Sequence, residues 1–194
     1  MTRWEPNARG RLELAALELY GERGYDQTTV AEIAKRAGLT ERTFFRYFAD
    51  KREVLFYGSG LLEDGLVQGI ENAPAGLPPI DAVGAALEAV TGIFEERGNL
   101  ARRRQAIVAA TPELQERELI KLARLSAALA GALRRRGVTD PAASLAAEAG
   151  VAVFRVAFQR WVGRPVDSTD LSGPALAQLI RESLAELKAV TAGR

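Results

Sequence analysis

The chain of 194 residues contains no cysteine and no histidine, one methionine and two tryptophans. Without cysteine it has no disulfide framework, no thiolate metal site and no thiol nucleophile. Without histidine it lacks the commonest general base and the commonest metal ligand. It has no G-x-x-x-x-G-K phosphate loop, and no strand pattern precedes Gly58-Ser59-Gly60. These absences argue against an enzyme and predict no metal or other cofactor.

Long apolar runs are also missing. The first 20 residues carry Arg9, Arg11, Glu13 and Glu18 among their apolar residues, so they contain no signal-peptide core. No apolar run approaches the roughly 18 residues of a membrane span. We therefore expect a cytoplasmic protein with no membrane partner, organised as one or two compact domains.

The net charge is only +1, but the charges are segregated along the chain. Residues 1–56 hold ten bases and nine acids, residues 57–96 hold seven acids and no base, and residues 97–136 hold ten bases and three acids. A nearly neutral segment can still bind DNA if a few cations lie together, because each half-site needs only a few phosphate contacts. The cations that would have to do so here are Arg42, Arg46, Lys51 and Arg52.

Residues 27–52, QTTVAEIAKRAGLTERTFFRYFADKR, have the pattern of two short capped helices joined by a glycine turn. Thr29 and Glu32 form a capping box at the start of the first helix, and Thr40 is the N-cap of the second. Gly38 suits the positive φ that ends the first helix, and Ala34 lets the two helices cross closely. This is a helix-turn-helix, which favours DNA binding.

The second helix of this motif has an inner and an outer side. Phe44 and Phe48 are four residues apart and are predicted to face inward with Val30, Ile33 and Leu39. The residues predicted to lie nearer the outer side are Glu41, Arg42, Thr43, Phe45, Arg46 and Tyr47.

Caps and breakers predict an all-α fold of about nine helices, without strands. The first helix spans about 9–23 and ends at Gly24, and a longer connecting helix begins at Asp50, capped with Glu53, and continues to about 71. After the breaker cluster 72–79, further helices are predicted over about 80–96, 100–110, 112–136, 141–162 and 174–190. The predicted domains are a helix-turn-helix domain, 1–56, and a ligand-binding and dimerisation domain, 57–194.

The segment from Leu12 to Leu55 resembles the DNA-binding domain of the TetR family of bacterial one-component regulators. The resemblance is carried by residues in matching order and spacing: Gly24-Tyr25, Thr28-Thr29, Ile33-Ala34, Ala37-Gly38 and Phe45-Arg46-Tyr47-Phe48 before Lys51. It implies a homodimeric DNA-binding regulator, usually a repressor, that responds to a small molecule held by the C-terminal helices.

The resemblance and the helix geometry together predict the DNA contacts. Hydroxyl and N–H groups at helix starts suit phosphates, and Lys51 is expected to act similarly at the next helix. Arg42 is expected to read guanine O6 and N7, and the Thr43 methyl to meet a thymine methyl. By resemblance, Phe45 contacts sugar or thymine methyl and Tyr47 reaches a phosphate. The predicted DNA-binding residues are Thr28, Thr29, Thr40, Arg42, Thr43, Phe45, Arg46, Tyr47 and Lys51.

Four of these residues have simpler interpretations. Phe45 and Tyr47 could serve only packing or dimer contacts, and Thr29 could be only a helix cap. Arg46 is equally well placed for a phosphate, and it could be no more than a solvated surface charge.

The last two predicted helices carry wide apolar faces. The first face consists of Leu145, Ala149, Ala152, Val153, Val156 and Ala157, extended further around the helix by Phe154, Phe158 and Trp161. The second is a stripe of Leu176, Leu179, Ile180, Leu184 and Leu187. Two such helices from each of two subunits would close a four-helix bundle, as the resemblance also implies. A dimer would place two recognition helices about 34 Å apart, or a multiple, to read a palindrome. Alternatively, both helices are core of a monomer.

The effector is predicted only by class. The resemblance implies a pocket inside the helices after Leu77, and a segment from Ala101 to Leu125 weakly resembles the branch of the family with acyl-CoA-like ligands. Arg102-Arg103-Arg104 could bind a ligand phosphate, or it could be a solvated face paired with the acids of residues 57–96. The candidate contacts are Leu87, Phe94, Arg103, Ile107, Leu114, Leu122 and Phe158. Each of the apolar candidates could be ordinary core. An architectural or adaptor protein of this fold, without an effector, is the alternative function.

Overall fold

The computed structural model describes residues 8–95, 97–163 and 175–193, and every regular element within them is helical. The predicted all-α fold is therefore confirmed. These residues form one turn of 3₁₀ helix, Glu53–Phe56, and ten α-helices: α1 Ala8–Arg23, α2 Val30–Arg36, α3 Glu41–Tyr47, α4 Ser59–Glu71, α5 Pro79–Ala89, α6 Gly92–Glu95, α7 Gly98–Ala110, α8 Pro112–Arg135, α9 Asp140–Val162 and α10 Leu176–Thr191.

The described chain forms two compact units. The first contains the chain up to Ser59 together with Arg102–Arg117, and the second contains Gly60–Ala101 and the chain from Glu118 onward. Helices α7 and α8 each contribute residues to both units.

The first unit is built on the inner faces of α1, α2 and α3. Leu12, Leu19, Ile33 and Phe44 are almost completely buried at its centre, where apolar burial is the main stabilising contribution. Helix α1 ends where Gly24 adopts a φ of 88° and donates its N–H to the Tyr20 carbonyl, as the sequence predicted.

The core of the second unit joins α4, α5, α8, α9 and α10. Glycine permits two close approaches here. A Cβ at Gly150 of α9 would lie 2.2 Å from a Val83 methyl of α5, and one at Gly84 would lie 2.5 Å from a Leu184 methyl of α10. At Gly150 the added Cβ would also lie 3.3 Å from the Val83 Cβ, so a larger residue there would push α5 and α9 apart, whereas at Gly84 the flexible Leu184 side chain would have to move.

Two predicted helices are broken in the structure. The connecting helix from Asp50 to about 71 is wrong: residues 53–56 form a single 3₁₀ turn, and α4 starts only at Ser59. Val54, Leu55 and Phe56 are all buried, and Arg104 and Arg117, from distant positions in the chain, bind the Leu55 carbonyl and Glu53 in this turn. The predicted helix 80–96 is interrupted after Ala89, where the Thr91 hydroxyl donates to the Glu88 carbonyl at 2.9 Å. Pro174, the predicted start of the last helix, lies outside the described residues.

Helix α9 also corrects the expectation about apolar runs, because it is long and apolar enough to cross a membrane by length and composition. In the structure it is a core helix of the second unit, with Ala147, Val153 and Ala157 buried against its neighbours. Packing within this unit accounts for much of its apolar surface, while Leu145 and Val156 on the same helix remain exposed.

Candidate DNA-binding site

Helix α2 starts at the predicted capping box. The Glu32 carboxylate accepts from the Thr29 N–H at 2.9 Å and from the Thr29 hydroxyl at 2.9 Å, while the Thr29 hydroxyl accepts from the Glu32 N–H at 3.3 Å. The pKa of Glu32 is lowered, first by the bond from the Thr29 N–H, then by its hydroxyl and by Arg23. The helix start therefore carries an ionised acid, which the helix dipole favours.

The turn between α2 and α3 is held from α1. Gly38 adopts the predicted positive φ of 66°. The Arg11 guanidinium donates through Nε to the Ala37 carbonyl at 3.0 Å and through Nη2 to the Gly38 carbonyl at 3.3 Å. A Cβ at Gly38 would meet that guanidinium at 3.0 Å, so the glycine serves both the backbone conformation and the close approach of Arg11.

Helix α3 separates its inner and outer sides as expected. Thr40 caps it by accepting from the Thr43 N–H at 3.2 Å, and the two threonine hydroxyls lie 3.0 Å apart. Phe44 is fully buried, whereas Phe45 is 55% exposed. Arg42 is also exposed. The outward side of α3 thus offers an arginine in its first turn and an aromatic ring one turn later.

Tyr47 and Arg46 act as a pair at the end of α3. The Arg46 Nη2 donates to the Tyr47 hydroxyl at 3.2 Å, and its guanidinium carbon lies 4.9 Å from the centre of the Tyr47 ring. Because the hydroxyl accepts this bond, its own proton remains available for a phosphate oxygen. The pair is thus better arranged for a backbone phosphate than for a base edge.

Thr28 has to be removed from the predicted contacts. It is only 1% exposed, and its hydroxyl donates to the Gly24 carbonyl at 2.8 Å. That bond closes the loop between α1 and α2, which leaves the side chain no access to a phosphate. Of the threonine doublet, only Thr29 is exposed.

Lys51 binds backbone carbonyl groups and an aromatic ring within the same unit, which the sequence did not predict. Its ammonium group donates to the Tyr25 carbonyl at 2.9 Å and to the Thr28 carbonyl at 3.1 Å, and it lies 4.2 Å from the centre of the Tyr25 ring. Two of its three N–H donors therefore fasten the loop before α2. The Tyr20 hydroxyl completes this arrangement by donating to the Lys51 carbonyl at 2.7 Å.

This arrangement changes the expected result of mutating Lys51. We expect Lys51→Met to lower the free energy of unfolding by about 1 to 3 kcal/mol, because it leaves the Thr28 carbonyl unpaired and removes one of the two bonds to the Tyr25 carbonyl, which keeps the Thr28 N–H. The slope of DNA affinity against salt concentration should stay unchanged. Thermal melting and salt titration of the same protein measure both quantities. A slope reduced by about 0.9 per half-site would instead support a phosphate contact by Lys51.

Side chains from α7 and from the start of α8 support the motif from a distant part of the chain. The guanidinium carbons of Arg104 and Arg117 lie 4.8 Å and 4.6 Å from the centre of the Phe56 ring. Arg104 Nε also donates to the Leu55 carbonyl at 2.6 Å, and Arg117 binds both carboxylate oxygens of Glu53 at 2.6 Å and 2.9 Å. Glu53, predicted as part of a capping box with Asp50, is thus the partner of Arg117.

Glu113, at the start of α8, extends this support to the loop before α2. It accepts from the Tyr25 hydroxyl at 3.3 Å and pairs with Arg52 at 3.3 Å. Burial, and then the Glu113 charge, raise the pKa of Tyr25, which keeps its hydroxyl protonated as a donor. Burial would raise the pKa of Asp50, but hydrogen bonds from the Arg52 side chain and from the N–H groups of Glu53 and Arg52 lower it. Arg52, expected at the groove, is therefore engaged within the unit.

The predicted effector contacts fall into both units. Arg103, Ile107 and Leu114 belong to the first. There Leu114 is fully buried, Arg103 is exposed, and Ile107 lines a cleft of about 450 Å³ next to Tyr20 and Tyr25. In the second unit, Leu87 is buried core, and Leu122 packs against that core.

An aromatic cluster in the second unit contains the other two predicted effector contacts. Phe94 of α6 lies 5.7 Å from Phe154 and 5.4 Å from Phe158, measured between ring centres, and Phe158 lies 5.8 Å from Trp161. These four rings are one continuous apolar surface, with Phe94 and Phe158 incompletely buried.

Comparison with known proteins gives the family. The model for bacterial regulatory proteins of the tetR family matches residues 14–57, and the model of the MftR C-terminal domain matches residues 77–192. The chain is 31% identical over 179 residues to the HTH-type transcriptional regulator TcmR of Streptomyces glaucescens, covering 87% of this chain and 78% of TcmR. TcmR is a regulator, which favours a role other than catalysis.

Two solved structures share the fold. FadR of Bacillus subtilis, in complex with stearoyl-CoA, has a TM-score of 0.62 at 21% identity, with 92% of this chain and 96% of that chain covered. PfmR of Thermus thermophilus has a TM-score of 0.50 at 26% identity, with coverages of 90% and 94%. With an N-terminal helix-turn-helix and a matching C-terminal domain, this chain belongs to the TetR family of bacterial transcriptional regulators.

Proposed function

We propose that this protein is a homodimeric transcriptional repressor that binds a palindromic operator in the cytoplasm and is released by a small effector. The observation that supports it best is the outward side of α3. Arg42 and Phe45 are exposed there on a helix whose start is capped by Thr40 and whose inner side is fixed by the buried Phe44. A short rigid helix with exposed arginine and aromatic side chains suits base edges in the major groove.

The proposed base-reading residues are Arg42, Thr43 and Phe45. Thr40 at the start of α3, and Tyr47 with Arg46, would hold phosphates on either side. Thr29 would join them only by releasing its hydroxyl from the Glu32 carboxylate. This division follows the general pattern in which phosphate contacts position a protein and base contacts give specificity.

The proposed dimer surface lies on α9. The stripe predicted on α10 is not available to a partner, because Leu176, Leu179 and Ile180 are buried in the core of their own unit. Leu145 is 71% exposed and Val156 is 47% exposed, and the small residues Ala149 and Ala152 lie between them on the same side of α9. This spacing of four, three and four residues is one continuous stripe along a helix. A second copy packed on the same stripe would form the symmetric bundle and bring two α3 helices to one palindrome.

The proposed effector is apolar or acyl-CoA-like and binds in the second unit, next to the aromatic cluster of Phe94, Phe154, Phe158 and Trp161. Flexible apolar chains bind well against such rings. FadR of Bacillus subtilis, which shares the fold, was solved with stearoyl-CoA. Leu87 and Leu122, from the same core, are proposed as further contacts of the ligand.

The effector would act through α7 and α8, which contribute to both units. In the first unit, Arg104, Glu113 and Arg117 hold residues 52–56 and the Tyr25 loop through the bonds described above. A ligand that favours another position of these helices would strain or break those bonds. Such a ligand can lower DNA affinity only to the extent that it binds the conformation unable to bind DNA more tightly than the DNA-binding conformation.

The test is selection of bound fragments from randomised and genomic DNA by the purified protein at about 150 mM salt, which suppresses nonspecific binding. We expect a palindrome whose half-sites are about one helical turn apart or a multiple. Stearoyl-CoA, lauroyl-CoA and free CoA are then titrated into the complex. Release by the acyl-CoAs but not by free CoA supports the effector class. If a palindrome is recovered but no compound in a wider panel of metabolites releases the protein from it, the architectural alternative is favoured. Recovery of no sequence motif would contradict the proposed operator.

A further inference from the structure

The first unit contains a cation that the helix-turn-helix motif does not include. Arg9 lies in the first turn of α1, and its guanidinium carbon is 4.2 Å from the centre of the Tyr57 ring and 5.4 Å from the centre of the Tyr47 ring. Tyr57 is itself held edge-on by Phe48, with 6.2 Å between the ring centres. Two aromatic rings thus fix the Arg9 guanidinium beside the end of α3.

Most arginines of this unit are bound to acids or carbonyl groups. Arg23 pairs with Glu32, and Arg36 pairs with Glu18 and Glu22. Within the part of the chain that the structure describes, Arg9, Arg42 and Arg46 pair with no carboxylate. Two of these three belong to α3 and the third packs against it. Three cations without a carboxylate partner are therefore gathered at one place in a nearly neutral unit, while others, such as Lys35 on α2 and Arg103 on α7, lie on different helices.

Within the described residues, the Nε of Arg9 also lacks a partner. Its Nε is buried and makes no hydrogen bond to any described residue. A buried N–H without a partner costs free energy, and a cation held against aromatic rings still requires an anion or water for its donors. A phosphate suits a guanidinium especially well, because it can accept two parallel N–H bonds.

We propose that Arg9 is a DNA-contacting residue that binds the same backbone phosphate as Tyr47. The inference rests on the proposed DNA-binding function. Arg46 already donates to the Tyr47 hydroxyl, so that hydroxyl can donate its proton to the phosphate while Arg9 approaches from the side of α1. The first helix thereby takes part in fixing the register of α3 on the duplex, without reading any base.

The experiment compares salt titrations of operator affinity for the full chain and three variants, with the wild-type selected palindrome as the probe. Arg9→Gln removes the charge, and Arg9→Met removes it while keeping an apolar side chain against the two rings. For either variant, the slope of log affinity against log salt should fall by about 0.9 per half-site, thus by about 1.8 for a dimer. The loss should be equal on operators that carry a base change in the half-site.

The matched control is Lys35→Gln, which removes one exposed positive charge from the last turn of α2, far from its Thr29 end. Its slope should equal that of the wild type. Melting temperatures are measured in parallel, and affinities are compared well below the lowest of them. If Arg9→Gln folds poorly, the slope of log affinity against log salt is taken from Arg9→Met instead.

The outcomes separate the two proposals. A lower melting temperature with an unchanged slope would overturn the role of Arg9 in DNA binding and reduce it to a support of Tyr47 and Tyr57. An unchanged slope and melting temperature would overturn it as well. If the wild-type protein binds no DNA sequence, the proposed function itself fails, and this result is distinct from either slope.

Discussion

Replacing Arg42 with alanine is expected to relax operator selectivity at one base pair in each half-site, by about 1 to 3 kcal/mol per site. Arg42 is exposed in the first turn of α3 and pairs with no carboxylate in the described part of the chain. Its planar guanidinium can therefore donate to both O6 and N7 of a guanine, a pattern that no other base pair offers. The measurement is the dissociation constant of the operator and of all its single-base variants, at one salt concentration.

Arg46→Ala is the matched control, since it removes the same charge from the same helix. Arg46 is bound to the Tyr47 hydroxyl and lies against its ring, an arrangement that favours a phosphate. We expect Arg46→Ala to weaken all sequences alike and to lower the salt slope. A site preference that survives Arg42→Ala unchanged would contradict the assignment of Arg42. Loss of preference in Arg46→Ala alone would exchange the two roles.

The local chemistry of the motif was predictable because its signals are short in sequence. Thr29 with Glu32, Thr40 with Thr43, and Gly38 each act within four residues, and the structure contains these caps and this turn where they were predicted. Hydrogen-bonding side chains at helix starts and glycine at positive φ depend little on the remainder of the fold.

The roles of Thr28 and Lys51 could not be predicted in this way. Two adjacent threonines before a helix look equivalent, and only the folded loop shows that Thr28 is buried while Thr29 is exposed. A lysine next to a helix-turn-helix suggests a phosphate contact. The carbonyl groups of Tyr25 and Thr28 that occupy Lys51 are more than 20 residues away, and no local pattern reports them.

The prediction of a continuous connecting helix from Asp50 to about 71 was wrong for a related reason. A cap at Asp50 and the apolar residues that follow satisfy a helical pattern, and the Asp50 carboxylate does accept from the N–H of Glu53 at 3.1 Å. The buried run of Val54, Leu55 and Phe56 is stabilised as a 3₁₀ turn by partners from α7 and α8. Arg104 and Arg117 reach it from about 50 and 60 positions along the chain. Tertiary contacts of this kind override helix propensity, which is only a weak preference.

The effector contacts show the limit of composition. Leu87 and Leu114 are apolar residues on predicted helices, but they are buried core residues of different units. The aromatic residues Phe154 and Trp161 belong to one ring cluster with Phe94 and Phe158. The part of this cluster that the sequence indicates is the close spacing of the aromatic residues along α9. No sequence pattern predicts that the helix is interrupted after Ala89, or that Phe94 of α6 consequently packs against the rings of α9.

Val156→Glu is expected to convert the protein to a monomer and to lower affinity for the palindrome by about 10²- to 10⁴-fold, because linked half-site binding is lost. In a symmetric interface the substitution buries two like charges close to one another. Affinity for an isolated half-site should change little, since Val156 lies in the second unit and α3 in the first. Sedimentation at several protein concentrations and titration of full and half operators measure the two effects.

Leu119→Glu supplies the matched control for this dimer test. Leu119 is 61% exposed on α8, outside the stripe on α9, so a charge there should leave both the dimer and the palindrome affinity unchanged. A monomeric wild-type protein would contradict the proposed bundle and, with it, the reading of a palindrome by two α3 helices. If Leu119→Glu dissociates the dimer and Val156→Glu does not, the subunits associate through α8. The exposed apolar stripe of α9 would then need a different partner.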